Sequence, residues 1–480
     1  MRNQMIGFLM EPKNRYMSAL ILLTTIGFNV MRGVRETIVF QFGQNGAMYT
    51  PFIRVLCILP FSALLFIYYL SVKRRSNSMI AYYAMTIPLL CYFIGYQLFA
   101  NQSVIDPSQL PSWIMTAKSF YAPLEFVSII AYHWDKTLYY VCCEAWGSFT
   151  LVILFWQIAN EIYSRQEAAR NYPVFSMLGG VGIILASMVI EQMGRQQNVI
   201  FITTQIISMI GITNLWLVSQ VWRCQKDKHL VEQKKSVSLH EGFKIALTTP
   251  HILYLAICII SFSILITVCE NAVRDMILHQ YSNENMVFKF WGSFFFGKGL
   301  MVISANFISR SLLKKFGWFY VAIITPIICI FTIHFVLGIP LMQKAGIIAG
   351  QSQAVLWILT ILLQLSFAIK YAFFDPTKEM AYIPLPANER TYGKTVADGL
   401  GSRIGNVSSG LIQTIAIMIA SGSEFSEIAP ALFVMCSLIS LSWTWAMGGL
   451  SGSYNKLIAK DESIDHQTAP DINKVNLATK

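Results

Sequence analysis

Charged side chains stand inside several strongly apolar stretches of this sequence. Arg32, Arg35 and Glu36 share one stretch, Glu144 lies in a second and Glu270 in a third. An ionised side chain at the middle of a bilayer costs about 2.5 to 3.5 kcal/mol on insertion scales, so such residues normally face water or a charged partner. Charges of both signs on separate apolar segments therefore predict a path for a charged solute.

The spacing of these charges allows two interpretations. Arg32, Arg35 and Glu36 stand at positions i, i+3 and i+4, and Glu270 and Arg274 are four residues apart, so each group shares one helical face. The charges can neutralise each other within a helix, Arg32 with Glu36 and Glu270 with Arg274. Arg35 has less local compensation, and we expect it to be available to the anionic group of a ligand.

The composition indicates that the bilayer is the solvent. Of 480 residues, 55% are hydrophobic and only 13% are charged, too few to cover the surface of a soluble fold of this size. A helix needs about 20 apolar residues to cross a membrane. We predict an all-α polytopic membrane protein with about 12 transmembrane helices. The predicted spans are 16–40, 51–71, 78–99, 136–159, 172–190, 198–222, 250–272, 287–308, 316–338, 353–374, 395–420 and 428–450.

A weak internal repeat divides the chain into two halves. Arg35 and Glu36 correspond to Arg274 and Asp275, each pair being separated by 239 residues. Two pseudo-symmetric six-helix halves are expected of a major-facilitator-like fold, which binds its substrate between the halves. The predicted parts are an N-terminal half (1–222), a cytoplasmic linker loop (223–248), a C-terminal half (249–450) and a cytoplasmic tail expected to be disordered (451–480).

The basic residues predict the orientation in the membrane. They cluster at 73–75, 165–170, 223–244 and 310–315, whereas the loops on the opposite side are poor in Lys and Arg. Basic loops remain cytoplasmic, so both termini are expected in the cytoplasm. This topology also explains the net charge of +11, and nucleic acid is not an expected partner.

Several kinds of site are not expected. Eight of the nine cysteines lie in apolar spans at irregular spacing, and no cluster has metal-ligand spacing, so neither a disulfide framework, a metal nor a cofactor is predicted. Gly292 to Gly299 resembles the start of a phosphate-binding loop, but Gly299 replaces the required Ser or Thr and no strand precedes it. Transport is therefore expected to be driven by gradients and not by ATP hydrolysis.

Longer motifs carry a family resemblance. EAWGSF begins at Glu144, FWQIAN at Phe155, RQEAARNYPVFSMLG at Arg165 and FDPTKEMAYIPL at Phe374. In this order the chain resembles the ATP/ADP translocase family of plastids and obligate intracellular bacteria. The resemblance implies four charged residues that are needed for transport, two cations and two acids. In this sequence they are Arg35, Glu144, Glu270 and Lys378.

One position departs from the family pattern. The family has Leu-Arg-x-x-Lys-Asp where this chain has Met31 to Glu36, so Arg35 replaces a lysine. Arginine binds two oxygens with a planar fork, whereas ammonium acts as a point charge. The resemblance implies a secondary active nucleotide transporter of a bacterial inner membrane, with ATP/ADP exchange as the default. Proton-coupled nucleoside triphosphate import and NAD/ADP antiport remain alternatives, and a membrane transferase is a remote one because no catalytic constellation is visible.

Further residues are expected to support this site. They are charged and lie in or beside the same spans: Arg32, Glu36, Arg274, Asp398 and Arg403. Asp398 and Arg403 are candidate gates in a span rich in glycine and serine, which we interpret mainly as a helix-packing surface. Pro376, near the end of the tenth span, is expected to interrupt regular helix and expose backbone groups to the cavity.

Overall fold

Every regular element that the computed structural model describes is a helix. The described residues are 11–43, 45–73, 76–99, 110–121, 123–163, 165–196, 198–225, 244, 247–347, 352–420 and 424–468. The predicted linker lies mostly outside these residues.

The first half contains ten α-helices and two π-helical turns among the described residues. They are α1 (Pro12–Gln41), α2 (Gly46–Ile53), π1 (Arg54–Ile58), α3 (Leu59–Lys73), α4 (Ser78–Phe99), α5 (Ser112–Phe120), α6 (Leu124–Tyr132), α7 (Trp134–Phe149), π2 (Thr150–Phe155), α8 (Trp156–Ile162), α9 (Arg165–Met193) and α10 (Val199–Gln225).

The second half continues in the same manner. Its elements are α11 (Pro250–Gln280), α12 (Glu284–Phe316), α13 (Trp318–Ala322), α14 (Ile324–Lys344), α15 (Gln353–Ile369), π3 (Lys370–Phe374), α16 (Asp375–Tyr382), α17 (Ala387–Ala420) and α18 (Phe425–Thr468).

Nine helical segments in the described part of the chain are long and apolar enough to cross a membrane. The three other predicted spans, 136–159, 172–190 and 395–420, are also helical. Of these, 172–190 overlaps the shorter apolar helix Met177–Met193, whereas 136–159 and 395–420 carry charged side chains, as helices beside a water-filled cavity do. The fold is therefore that of an all-α, multi-pass membrane protein, as predicted.

The centre of the fold is formed by α1 and α11, the first helix of each half. Nearly the whole α11 segment from Ser261 to Leu278 is buried, including its charged residues. α1 packs extensively against α9, α10, α7 and α12, while α11 packs against α17, α18 and α14. Charges carried by α1 and α11 are thereby enclosed by other helices and kept from lipid.

The halves meet closely along α9 and α12. A Cβ atom built on Gly292 of α12 would lie 3.4 Å from the Cβ of Ile190 of α9.

The glycine-rich helix α17 also packs tightly, since a Cβ on Gly405 would lie 2.5 Å from the Cβ of Ser263 in α11. Small residues permit such approaches between helices, which confirms the packing interpretation of this glycine-rich span.

Two sequence expectations concern local structure. The segment from Gly292 to Gly299 lies within the continuous helix α12, so it forms no phosphate-binding loop. The disorder expected after residue 450 is wrong for 451–468, because α18 continues to Thr468. Residues 469–480 lie outside the described part.

The irregularity expected near Pro376 is a π-helical turn. π3 comes between α15 and α16, and Pro376 stands in the first turn of α16. Proline lacks an N–H and collides with the carbonyl four residues before it, so the wider turn that precedes it relieves the helix. Such π turns recur at functional sites, and π3 carries Lys370 into the cavity described next.

Candidate functional site

A cavity of about 410 Å³ lies between the two halves. α1, π1 and α7 line it from the first half, and α11, α15 to α17 and π3 line it from the second. The predicted residues that line it are Arg32, Arg35, Glu144, Glu270, Lys378, Asp398 and Arg403. The cavity therefore brings together all four residues implied by the family resemblance.

Arg32 and Glu270 join the two halves across the cavity. The Arg32 Nη2 donates to Oε1 of Glu270, and the pair connects α1 to α11. The Arg32 guanidinium carbon also lies 5.8 Å from the ring centre of Phe295 and 5.6 Å from that of Phe367. Both aromatic faces support the cation on its apolar side, while its ion-paired end faces the cavity.

Arg35 contacts two carboxylates. Its Nε donates to Oε1 of Glu36 over 3.1 Å, its Nη2 donates to the same oxygen, and its Nη1 donates to Oε2 of Glu144. Arg35 was expected to have less local compensation and to be available to a ligand, but in this state it is held by both carboxylates. The missing partner, Glu144, comes from α7, and sequence spacing within α1 gave no information about it.

Glu36 and Arg274 form a second ion pair between α1 and α11. Arg274 donates through Nη2 to Oε1 of Glu36 over 2.9 Å and through Nε to Oε2. Their side chains are only 2% and 1% exposed, and they lie behind the cavity wall. Both were expected to support the site, and the structure places them beneath it, outside the cavity lining.

The two intrahelical pairs considered from the sequence, Arg32 with Glu36 and Glu270 with Arg274, are not formed. Each arginine instead reaches the acid of the facing helix. Two side chains four residues apart on one helix lie along the same helix surface. Here side chains of α1 and α11 meet, and Arg274 presents the Nε and Nη2 side of its guanidinium to both oxygens of Glu36.

A layer of polar contacts closes the cavity below this pair. The amide of Asn271 accepts from Thr50 Oγ1 over 2.7 Å and from Arg274 Nη1 over 2.7 Å, and it donates to Gln413 over 2.7 Å. These residues come from α2, α11 and α17, and this group is called the floor. The cavity lies on the other side of the floor, towards the ends where α1 and α11 begin.

Lys378 is held by acids of the second half. Its Nζ lies 3.1 Å from Asp398 and 4.0 Å from Asp375. Asp375 also accepts from Lys370 Nζ over 2.9 Å. The contact joins Lys378, which follows the tenth predicted span, to Asp398 in the eleventh.

Three charged lining residues escaped the sequence analysis: Arg54, Lys370 and Asp375. Each lies near the end of a predicted span, where charges usually mark the membrane boundary. Their turns, π1 and π3, carry Arg54 and Lys370 towards the centre. A signal was available for Asp375, because an acid five residues after one lysine and three residues before another suggests an ion-pair cluster.

Lys298 is a further buried cation, within the glycine-rich segment from Gly292 to Gly299. It is 2% exposed, and its Nζ lies 4.8 Å from the ring centre of Phe295 and 5.4 Å from that of Phe367. These are the same rings that support Arg32. Lys298 does not line the cavity, and its position behind the two rings agrees with a packing role.

The cavity carries an excess of positive charge. Six cationic and four acidic side chains line it, a formal excess of two positive charges. The four acids are each engaged by a cation of the cavity. No group of three or more metal-ligating side chains is found in the described ranges. The site is suited to an anion that competes with carboxylates for arginine and lysine.

The family comparison agrees with this chemistry. The model of the TLC ATP/ADP transporter family matches residues 12–454. The chain belongs to this family. The prediction of a transporter rather than an enzyme is thereby confirmed, as is the resemblance drawn from the sequence motifs.

Two proteins of Rickettsia are similar to this TLC transporter over nearly its whole chain. "ADP,ATP carrier protein 4" of Rickettsia bellii (strain RML369-C) is 25% identical, with 95% of this chain and 94% of the relative covered. "ADP,ATP carrier protein 1" of the same strain is 26% identical, with 93% and 94% covered.

Solved structures confirm the fold of this TLC transporter. A variant of the nucleoside transporter NupG superposes with a TM-score of 0.58 at 10% identity, covering 92% of this chain and all of NupG. A bacterial homologue of the iron transporter ferroportin, in an inward-facing state, gives 0.54 at 13% identity, covering 90% and 98%. These likenesses show the major-facilitator-like architecture.

Proposed function

We propose that the chain is a secondary active nucleotide transporter that exchanges ATP for ADP across a bacterial inner membrane by alternating access. The observation that carries the proposal is the central cavity, with six cations and four acids between the two halves. A nucleotide is a polyanion, and desolvated cations bind its phosphates through charge-assisted hydrogen bonds. The names of the two Rickettsia relatives support ADP and ATP as the substrates.

The ion pairs suggest how the empty cavity is kept neutral enough to persist in the membrane. Arg35 is held by Glu144 and Glu36, Arg32 by Glu270, and Lys378 by Asp398. An entering phosphate competes for the cations and frees the acids. When the nucleotide leaves, the acids recapture the cations, so the same groups serve binding and release.

The contact between Arg32 and Glu270 links substrate binding to the two halves. It joins α1 and α11 directly, so a phosphate that takes Arg32 breaks one bond between the halves. The floor and the contact of α9 with α12 then still close the other side of the protein. Both must open before the nucleotide can leave on that side. A ligand shifts such an equilibrium only through contacts that differ between the two states.

Orientation follows from the loop charges. The cavity lies on the same side of the floor as the last residues of α3 and α10, Lys73 and Gln225, which begin or fall within the basic stretches 73–75 and 223–244 of the sequence. Basic loops remain in the cytoplasm, so we place the termini and the cavity opening on that side. The Rickettsia relatives support an obligate intracellular bacterium as the source organism of the protein.

Arg35 favours a second candidate for substrate choice. It donates through three nitrogens to two carboxylates, which a lysine cannot do. A member with arginine here therefore presents a different donor pattern to phosphate. NAD/ADP antiport and proton-coupled nucleoside triphosphate import are accordingly tested beside ATP/ADP exchange.

The test uses full-length protein in liposomes. We expect labelled ATP to enter liposomes loaded with ADP and not empty ones, and a non-hydrolysable ATP analogue to exchange equally well. NAD and GTP are added as competitors, with and without a pH gradient. Uptake into empty liposomes that needs acid outside would assign proton coupling, and preferred exchange of NAD would assign dinucleotide antiport. A requirement for ATP hydrolysis would refute a secondary transporter.

A further inference from the structure

We infer that Arg54 and Arg403 make the first contacts with the phosphate groups of the nucleotide, before the internal ion pairs open. This inference rests on the proposed function and names two binding residues for it. Both arginines line the cavity, Arg54 from π1 in the first half and Arg403 from α17 in the second. Both side chains are partly exposed to the cavity.

The two arginines differ from the other cations of the cavity in their partners. Arg32, Arg35, Lys370 and Lys378 each contact at least one carboxylate. In the described part of the structure, neither Arg54 nor Arg403 has a carboxylate within ion-pair distance or a side-chain hydrogen bond. They account for the two excess positive charges.

This difference sets the order of binding. At a paired cation, a phosphate oxygen must displace a carboxylate that is already bound. At Arg54 or Arg403 it displaces only water, and a guanidinium offers five donors to it. A polyanion entering the cavity is therefore captured first by these two arginines and reaches Arg35 and Arg32 afterwards.

The surroundings of Arg403 keep its donors available. Its guanidinium carbon lies 5.8 Å from the ring centres of both Phe66 and Phe149, which belong to the first half. Aromatic faces attract a guanidinium without using its N–H groups. Arg403 thus extends from α17 towards the opposite half, and its N–H groups remain available to donate to a phosphate.

Arg54 is positioned close to the acid that holds Arg35. Arg54 and Glu144 line the same cavity without forming an ion pair, so their opposite charges attract each other there. A phosphate bound at Arg54 would place its negative charge beside Glu144, which weakens the hold of Glu144 on Arg35. Capture at Arg54 thereby prepares the release of Arg35 to the substrate.

A purely structural role makes a different prediction. If Arg54 only offsets the charge of Glu144 and Arg403 only packs on two rings, their removal lowers stability but affects ATP, ADP and AMP equally. A phosphate-binding role predicts a loss of affinity that grows with the number of phosphate groups. It also predicts a weaker dependence of affinity on salt, because one charged contact is missing.

The experiment compares Arg54→Gln and Arg403→Gln with the unaltered protein in liposomes loaded with ADP. Arg195→Gln is the matched control, since Arg195 is exposed and pairs only with Glu191 on the surface. Inhibition of labelled ADP uptake by ATP, ADP and AMP is measured at low and high salt. We expect the apparent affinity for ATP to fall at least about tenfold in each Gln variant, with a smaller loss for AMP and a flatter salt dependence.

Conservative variants keep the test decisive if a Gln variant fails to insert. Arg54→Lys and Arg403→Lys retain the charge but lose the fork, so we expect a smaller loss of ATP affinity and an unchanged salt dependence. Lys variants that match the unaltered protein in both respects would overturn the inference.

The remaining outcomes separate the inference from the proposed function. If the unaltered protein exchanges nucleotides but the Gln variants match Arg195→Gln, the inference is wrong and the proposed function stands. If the unaltered protein exchanges no nucleotide, the proposed function fails and this inference fails with it.

Discussion

Arg274 of α11 donates to both carboxylate oxygens of Glu36 in α1, although an acid of its own helix, Glu270, lies one turn before it. Glu270 is engaged instead by Arg32 of α1. The two central helices are thus joined by two ion pairs, one facing the cavity and one buried beneath it. The pair that faces the cavity is accessible to a ligand, whereas the buried pair joins α1 to α11 behind the cavity wall.

The buried pair predicts an asymmetric loss of stability. Glu36→Gln leaves two buried guanidinium groups, Arg35 and Arg274, without their shared acid, and breaking a buried pair costs about 3 to 5 kcal/mol. Arg274→Met costs less, because Glu36 keeps Arg35 as a partner. Thermal unfolding of the purified protein in detergent measures both. Glu191→Gln, which removes a surface pair, is the control and should change little.

Equal stability of the Glu36→Gln and Arg274→Met proteins would contradict this arrangement. It would mean that Glu36 serves Arg274 only and that Arg35 depends on Glu144 alone.

The acids of the cavity predict a separation of binding from turnover. Glu144 and Glu270 hold Arg35 and Arg32, and under the proposed function they compete with phosphate for these cations. In Glu144→Gln and Glu270→Gln the competitor is lost, so we expect nucleotide release to slow and the maximal exchange rate to fall at least about tenfold. Apparent affinity should stay the same or become tighter. Initial rates over a range of ADP concentrations, corrected for the amount of inserted protein, provide the measurement.

Near-normal maximal rates in both Gln variants would show that these acids have only a structural role. Glu191→Gln again serves as the matched control, because Glu191 lies outside the cavity.

Sequence reasoning found the central charges but not their partners. Arg35, Glu144 and Glu270 stand out because they interrupt apolar stretches, and the family motifs added Lys378. Pairing depends on which helices face each other, and residue spacing reports only on neighbours within one helix. The crossed contacts between α1 and α11 were therefore not predictable from i, i+4 spacing.

Residues near span ends were missed for a different physical reason. Arg54 and Lys370 stand where cations usually mark the membrane boundary, and their inward placement accompanies π1 and π3. A π turn adds a residue to the hydrogen-bonded ring, and the pattern of apolar residues around it does not reveal this. The helices themselves were predictable, since all twelve expected spans are helical.

We expect Arg35 to give the protein a substrate preference that a lysine at this position cannot reproduce. Its three nitrogens contact Glu36 and Glu144, and an ammonium group in Arg35→Lys retains the charge but not the fork. A charge-assisted hydrogen bond contributes about 1.5 to 3 kcal/mol, so apparent affinity should fall roughly tenfold or more. Arg35→Ala should lose more. Competition by ATP, GTP and NAD measures affinity and ranking together.

Arg195→Lys, at an exposed position, is the control for this series. If Arg35→Lys keeps both the affinity and the order of preference, Arg35 does not contact the substrate.

The close contact of α9 with α12 predicts a crosslink that stops transport. A Cβ on Gly292 would lie 3.4 Å from the Cβ of Ile190, near the separation of about 3.5 to 4.5 Å found in disulfides. Oxidation of the Ile190→Cys/Gly292→Cys protein should join the two halves on the side away from the cavity. Because alternating access requires this side to open, exchange should fall to background and recover on reduction. Each single-cysteine variant, treated in the same way, controls for the nine native cysteines. Full exchange in a protein shown to be crosslinked would exclude opening between α9 and α12.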